Sequence, residues 1–237
     1  SMKPQPADGK TWFMKRSQQH GVPTVFVDQG PDDHPARVIL DQRQATFDTF
    51  EHLAKLGHRD VTAVMHPFHL NVRLDHARAL EAAAAAQDVT LRPMESWCIG
   101  EPWASDAPID RLRDLLAEST PPTALVCIND AIAQNALAAA HDLGLRVPDD
   151  LSIVGQDDLP LARATRPTLT TRRHPDPKRV ATAAFAMLDQ LIDDPHAELE
   201  PVTFDQQLIV RDSTGPARTH ELPDTFPSRT PFERSRV

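Results

Sequence analysis

Five side chains that suit sugar recognition follow predicted strands of the sequence, in the order Asp28, Arg73, Trp103, Asn129 and Asp157. A carboxylate accepts hydrogen bonds from two neighbouring hydroxyl groups, and an arginine presents a rigid fork of donors to adjacent oxygens. An asparagine amide both donates and accepts, and a tryptophan ring covers the apolar face of a pyranose. Together these residue types are typical of a polyol site, so the sequence predicts that a sugar binds at the strand ends.

Each of the five residues also has a plainer interpretation. The two aspartates suit the N-cap of a following helix, and so does either Asn129 or its neighbour Asp130. The arginine is also compatible with a solvated position on a helix. Trp97 competes with Trp103 for the place of the aromatic platform, and either ring also suits a lid or a core. The residues alone leave these alternatives open.

An alternation of strands and helices positions these residues. Short β-branched runs bounded by turn residues predict strands, and apolar residues at helical spacing predict helices. The predicted strands cover residues 22–27, 36–40, 61–65, 95–99, 124–128, 151–154 and 207–211. The predicted helices cover residues 42–56, 74–87, 109–119, 131–143 and 180–192. This alternation is typical of an α/β fold with a parallel sheet, in which ligands bind beyond the carboxyl ends of the strands.

Composition and charge exclude several classes of protein. The 237 residues include 34 acidic and 25 basic side chains, which give a formal charge of −9. This charge argues against a chain whose main role is to bind nucleic-acid phosphates. Two cysteines, Cys98 and Cys127, are too few for a disulfide scaffold. The sequence shows no apolar run of membrane-spanning length and no secretory signal, which favours a cytoplasmic location without membrane contact.

Motifs for catalysis and for cofactors are missing from the sequence. It contains no G-x-S-x-G elbow, no G-x-G-x-x-G turn and no P-loop, so neither a hydrolase triad nor a nucleotide cradle is predicted. Three histidines, His66, His69 and His76, lie near Asp75, but their spacing is poor for a metal site. We therefore predict a binding protein that is not an enzyme and has no metal or cofactor.

Several longer stretches of the sequence carry a family pattern. The most specific block is VPDDLSIVGQDD (147–158), which PTLTT (167–171) follows. The others are VPTVFVDQ (22–29), EHLAKLGHRDVTAVM (51–65), RLDHARAL (73–80), PPTALVCINDAIAQNALAAAHDLGLR (121–146) and LIVRDST (208–214). Together they resemble the effector-binding domain of the LacI/GalR family of bacterial transcriptional regulators, over nearly all of residues 20–214.

The resemblance implies a type I periplasmic-binding-protein-like α/β fold, with two parallel-sheet subdomains and an interdomain cleft for the effector. The expected amino subdomain, which lacks the family's first βα units, is residues 10–40 with 176–205. The expected carboxyl subdomain is residues 41–175 with 206–214, and the polar, proline-rich residues 215–237 are expected to form a disordered tail. The family's sugar contacts fall on the five residues of the polyol site, with a further contact near His174 or Asp176.

The resemblance also implies a function and partners. The implied function is that of a sugar-sensing and dimerisation domain of a repressor, which binds operator DNA through a headpiece absent from this sequence. The alternative is an exported sugar-binding protein of an ABC transporter, which shares the fold. An enzyme on the same sheet would need a nucleophile or a cofactor loop that the sequence does not contain.

Three departures from the family pattern concern the expected pocket. Asp75-His76 stands where the family has glycine and an aromatic residue, and Gln156 stands where the family usually has an aromatic. The pair Arg172-Arg173 after the L-T-T segment is also unusual. Gln156 in place of the aromatic predicts a pocket wall that is more polar than in the family.

Overall fold

A computed structural model of the chain describes residues 16–17, 19–28, 31, 34–65, 70–92 and 107–220, with the backbone alone at 70–75 and 107–108. In chain order the elements are β1 (Phe26–Val27), β2 (Arg37–Asp41), α1 (Arg43–Lys55), β3 (Asp60–Val64), α2 (Leu70–Ala86), β4 (Thr90–Arg92), α3 (Ala107–Leu116), β5 (Ala124–Cys127), α4 (Asp130–Asp142), β6 (Ser152–Asp157), α5 (Pro160–Ala164), β7 (Thr170–Arg173), α6 (Pro177–Asp193), β8 (Val202–Asp205) and β9 (Gln207–Ile209). Two compact units result: a smaller unit of residues 1–44 and 174–207, and a larger unit of residues 45–173 and 208–237.

The larger unit is built on a six-stranded sheet with the strand order β4-β3-β5-β6-β7-β9. The first five of these strands pair in parallel, with Val126 of β5 opposite Val154 of β6. The parallel α/β architecture that the alternation predicts is therefore present. Among the described residues, no helix is long and apolar enough to span a membrane.

Apolar side chains cover both faces of this sheet. Leu125 and Val126 are neighbours on β5, so their side chains point to opposite faces and enter different core clusters. One cluster joins the sheet to α3 and α4 and includes Leu116, whereas the other joins it to α1 and α2 and includes Phe50 and Leu80. The two buried faces explain why the central strands read as continuous apolar runs.

Helices α1 and α4 end at glycines, as their sequences predict. Gly57 and Gly144 have φ angles of +90° and +72°, a conformation that a residue without Cβ adopts at little cost. Beyond Gly144, the amide of Leu145 returns to the carbonyl of Ala140 at 2.9 Å and closes the last turn.

Strand β7 (Thr170–Arg173) is not predicted by periodicity, because two threonines followed by two arginines do not alternate like a half-buried strand. Its place comes from pairing with β6, which sets Gln156 opposite Arg172 and Asp157 opposite Arg173. The short strands β4 and β8 also escape prediction, and the strand predicted at 95–99 lies outside the described residues.

The smaller unit contains a three-stranded parallel sheet in the order β1-β2-β8, with α6 packed against it. The predicted buried strand at 22–27 is corrected here, since the strand is only Phe26–Val27 and Val22 and Val27 are exposed. Within the described sheet, β1 pairs with β2 alone, so its β-branched residues occupy an edge rather than a core.

The expected disordered tail does not begin at Gly215. The guanidinium of Arg218 donates to the carbonyl oxygens of Pro122 and Asp150 at 3.0 and 2.8 Å, and the ring of His220 lies 2.9 Å from the Asp150 carboxylate. These contacts hold residues 215–220 against the larger unit, because they satisfy carbonyls at the start of two strands. Residues 221–237 lie outside the described residues.

Candidate functional site

Asn129 and Asp157 lie at the carboxyl edge of the large sheet, at the ends of the neighbouring strands β5 and β6. Val126 of β5 pairs with Val154 of β6 in parallel. Asn129 follows the end of β5, and Asp157 is the last residue of β6. Asn129 is the N-cap of α4, and its Oδ1 accepts from the amide of Ile132 at 2.8 Å. The helix-cap interpretation is therefore confirmed for Asn129, although the cap uses the side-chain oxygen and does not require the amide nitrogen.

Asp157 is the last residue of β6, whereas the sequence places it in a loop after a shorter strand. Its interpretation as a helix cap is wrong, because the N-cap of the following helix is Leu159 and makes no side-chain cap bond. Asp157 and Asp158 have φ angles of 108° and 52°, which are unusual for residues with a side chain. Two consecutive residues of this kind form a strained turn at the strand end.

Asp158 anchors this turn. Three arginine side chains donate to its carboxylate, at 3.0 Å from Arg163, 2.6 Å from Arg173 and 2.5 Å from Arg211. Burial raises the pKa of Asp158, but the hydrogen bonds from the arginines outweigh burial and hold the pKa below its usual value. The charged carboxylate is thus the form that the turn requires.

Asp130 supports the turn from inside the unit. Its fully buried carboxylate accepts from the hydroxyl of Thr171 at 2.6 Å and from the amide of Leu159 at 2.8 Å. A Cβ on Gly155 would lie 2.3 Å from Asp130 Oδ1, so only glycine fits beside this carboxylate. Burial raises the pKa of Asp130, while the two donors lower it.

Arg172, His76, Gln156 and Thr46 form a second buried polar group at the same edge, here called the Arg172 cluster. The Arg172 side chain is fully buried, and its Nη1 donates to the hydroxyl of Thr46 at 2.9 Å. His76 is 2% exposed, and burial together with the charge of Arg172 lowers its pKa to about 3. The imidazole is therefore neutral at physiological pH, and Arg172 is the cation of the cluster.

Asp28 and His174 belong to the smaller unit. Asp28 follows β1 with a φ of 64°, and its amide donates to the carbonyl of Val38 at 2.8 Å. The next element described after Asp28 is a strand, so Asp28 does not cap a helix. His174 Nδ1 lies 3.1 Å from the side-chain nitrogen of Gln206, from which it accepts a hydrogen bond.

The remaining predicted contacts are described incompletely. Arg73 lies in the first turn of α2, but its side chain lies outside the described residues. Trp103 and its competitor Trp97 lie outside them entirely. The structure thus places Asn129 and Asp157 at the ends of neighbouring strands, and the six-residue site stays a prediction.

Sequence reasoning missed the supporting residues. Thr171 carries no local signal, because it joins Asp130 only through the pairing of strands remote in sequence. Gln156 and Arg172 did carry a signal, since both depart from the family pattern. Their direct opposition on β6 and β7 is visible only in the structure.

Comparisons with known proteins agree with this architecture. The profile of the periplasmic binding protein-like domain matches residues 50–214. The HTH-type transcriptional repressor PurR of Edwardsiella ictaluri is 30% identical over 194 residues, which is 81% of this chain and 56% of the repressor. The chain therefore spans little more than half the length of this curated relative.

Solved structures show the same fold. A LacI family transcriptional regulator from Mycobacterium smegmatis is 27% identical with a TM-score of 0.69, over 90% of this chain and 77% of the regulator. A LacI family regulator from Enterococcus faecium, solved with bound ribose, has a TM-score of 0.73 at 21% identity, over 90% of this chain and 78% of that one. The predicted fold class and the resemblance to LacI-family effector domains are confirmed.

Proposed function

Because the chain belongs to the family of periplasmic binding protein-like domains, we propose that it senses a sugar effector within a bacterial LacI-family transcriptional repressor. The observation that carries this proposal is the carboxyl edge of the sheet, where Asn129 and Asp157 follow or end neighbouring strands and the turn at Asp157 is supported by buried Asp130 and by Asp158. Strain in a turn persists only where its surroundings hold it, and such turns concentrate at ligand sites. Asp157 is therefore the residue on which we expect effector affinity to depend most.

In this proposal the effector contacts are the six residues predicted from the sequence. Asp157 accepts from sugar hydroxyls, Asn129 and Arg73 donate to sugar oxygens, and Trp103 covers an apolar sugar face. Asp28 and His174 of the smaller unit add polar contacts. No catalytic residue, metal or cofactor takes part, so the chain acts by binding.

The effector acts by a shift in population. It binds one conformation of the regulator better than the other, and the two conformations differ in their affinity for operator DNA. DNA is bound by a headpiece outside this sequence, in agreement with the formal charge of −9. The protein works in the cytoplasm. The alternative of an exported transporter component has no support among the relatives described above, which are transcriptional regulators.

A thermal-shift screen tests the proposal. The probes are monosaccharides, disaccharides, polyols and sugar phosphates, with nucleobases as the comparison class. A ligand that binds only the folded chain at 100 times its dissociation constant stabilises it by about 2.7 kcal/mol. We expect one sugar class to raise the melting temperature, and the rise to disappear in Asp157→Ala but to persist in the exposed control Asp114→Asn.

Two results contradict this proposal. If only nucleobases shift the melting temperature, the effector is not a sugar. If Asp157→Ala folds and binds the sugar with unchanged affinity, the site assignment fails although the sensing function stands.

The proposed repressor is also a homodimer. Analytical ultracentrifugation should report a mass of about twice the 26.3 kDa of the chain. A monomer at every concentration tested would show that this chain does not contain a sufficient dimer interface.

A further inference from the structure

Arg172 is a buried arginine with few hydrogen-bond acceptors around it among the described residues. Its side chain is fully buried, and its Nη1 donates a hydrogen bond to the hydroxyl of Thr46. Its Nε and Nη2 have no hydrogen-bond partner in the part of the chain that the structure describes. A guanidinium has five N–H donors, and a buried charge is costly unless it is paired and hydrogen-bonded. The arrangement therefore lacks an acceptor beside Nε and Nη2.

Packing does not explain an arginine at this position. Arg172 shares a sheet face with Val154, because Gln156 opposite Arg172 lies two residues after Val154 on β6. Val154 belongs to the apolar cluster that contains Phe50 and Leu80, so Arg172 and its polar neighbours border an apolar core. An aliphatic side chain of similar length would complete this core without the cost of a buried charge.

The surroundings of Arg172 favour a singly charged partner. Burial lowers the pKa of Arg172 to about 10, and the charge of Asp157 acts in the opposite direction, so the guanidinium stays protonated at neutral pH. His76 is neutral and adds no positive charge. Gln156, directly opposite, has an Oε1 without a hydrogen-bond partner among the described residues. One buried cation with nearby aspartates fits a monoanion better than a dianion.

We propose that Arg172 and Gln156 bind the carboxylate of an acidic effector, of which a sugar acid is the simplest example. The Nε and Nη2 atoms form the fork that holds a carboxylate through two parallel hydrogen bonds. Gln156 accepts from a neighbouring hydroxyl of the same molecule. This inference rests on the proposed function, because it names the class of effector for the edge that holds Asp157.

The position of the Arg172 cluster supports this assignment. Arg172 and Gln156 lie near the carboxyl ends of β7 and β6, where α/β sheets bind their ligands. His76 follows Arg73 by three residues on α2, so the same helix carries a predicted sugar contact and a member of the cluster. Because Arg172 has no exposed surface, the effector must displace the side chains that cover it.

The test compares matched ligands on four proteins by calorimetry. The ligands are glucose with glucuronate, galactose with galacturonate, and ribose with ribose 5-phosphate. The proteins are the wild type, Arg172→Met, Arg172→Lys and the control Arg59→Met, whose arginine is exposed in the same unit. We expect the wild type and the control to bind one acid at least about tenfold more tightly than its neutral partner, as one charge-assisted contact allows.

The substitutions separate a binding role from a structural one. Arg172→Met should lose the preference for the acid while its melting temperature rises, because the unpaired buried charge is gone. Arg172→Lys keeps a charge but loses the fork, so it should retain only part of the preference. If Arg172→Met fails to fold, Arg172→Lys alone decides whether the preference depends on the guanidinium.

Each contrary result has its own meaning. Equal binding of neutral and acidic sugars, or a preference that survives in both Arg172 variants, overturns this inference and leaves the sugar-sensing function intact. A preference for ribose 5-phosphate alone overturns the choice of a carboxylate. If no ligand of either kind binds, both the inference and the proposed sugar function fail.

Discussion

The two units differ in how they bury apolar side chains. The larger unit covers both faces of a six-stranded sheet with two core clusters. In the described part of the smaller unit, the buried apolar residues are Ala36, Val38 and Met187. A parallel sheet needs cover on both faces, and among the residues that the structure describes only those of the larger unit show it. The stability of the chain is therefore expected to reside in the larger unit.

The smaller unit also exposes large apolar side chains. In the smaller unit, Phe185 and Ile192 of α6 are 66% and 60% exposed. Cores with few apolar contacts open locally at low free energy. The predicted contacts Asn129 and Asp157 thus stand on a rigid framework, whereas His174 stands on a softer one. We expect substitutions in the two units to differ accordingly.

The largest expected difference comes from two phenylalanines. Phe50 is fully buried in the larger unit, so Phe50→Ala should lower the free energy of unfolding by about 3–5 kcal/mol. Phe185→Ala removes the same atoms from an exposed site and should change it by no more than about 0.5 kcal/mol. Chemical denaturation of both variants measures the difference. Equal losses would show that the smaller unit has a core comparable to that of the larger one.

A pair of threonines gives an intermediate effect. Thr171→Val removes the donor to buried Asp130 and should cost about 1–3 kcal/mol, because the carboxylate loses a hydrogen bond without access to water. Thr182→Val on α6 removes an exposed bond to the carbonyl of Lys178 and should cost less than about 0.5 kcal/mol. If Thr171→Val unfolds at the wild-type denaturant concentration, Asp130 does not depend on this hydroxyl.

The smallest expected effect depends on pH. Hydrogen bonds from Arg146 and His220 lower the pKa of Asp150 to about 2, so its charged form stabilises the folded chain. A lowered folded-state pKa gives stability that is full above the unfolded value, near 4, and is lost as the pH falls towards 2. Since Arg146 is largely exposed, Asp150→Asn should cost about 1 kcal/mol at pH 7.

The difference in the free energy of unfolding between the wild type and Asp150→Asn should therefore become smaller as the pH falls. Urea denaturation at pH 7, 5 and 3 should show the difference shrinking below pH 5, with the exposed Asp114→Asn as the control. A difference that stays constant down to pH 3 would mean that the contribution of Asp150 does not depend on its charge.

The elements with strong local signals were predictable. The strand predicted at 124–128 is β5 (Ala124–Cys127), and the helix predicted at 131–143 is α4 (Asp130–Asp142). Residue patterns also selected Asn129 and Asp157, which lie at the ends of neighbouring strands of one sheet. The sequence could not show that Val22 and Val27 are exposed rather than buried, because β-branched residues favour strands at an edge as well as in a core.

What the sequence by itself determined is the position of most of the longer strands and helices, the glycine ends of α1 and α4, and the places of Asn129 and Asp157 at strand ends. These depend on periodicity and conformation within about one turn or one strand. The tertiary structure alone decided three contacts. Asp130 accepts a hydrogen bond from Thr171, Asp158 accepts hydrogen bonds from three arginines, and Arg172 is buried opposite Gln156. Such contacts join residues far apart in the chain, so they follow from strand pairing and leave no local pattern in the sequence.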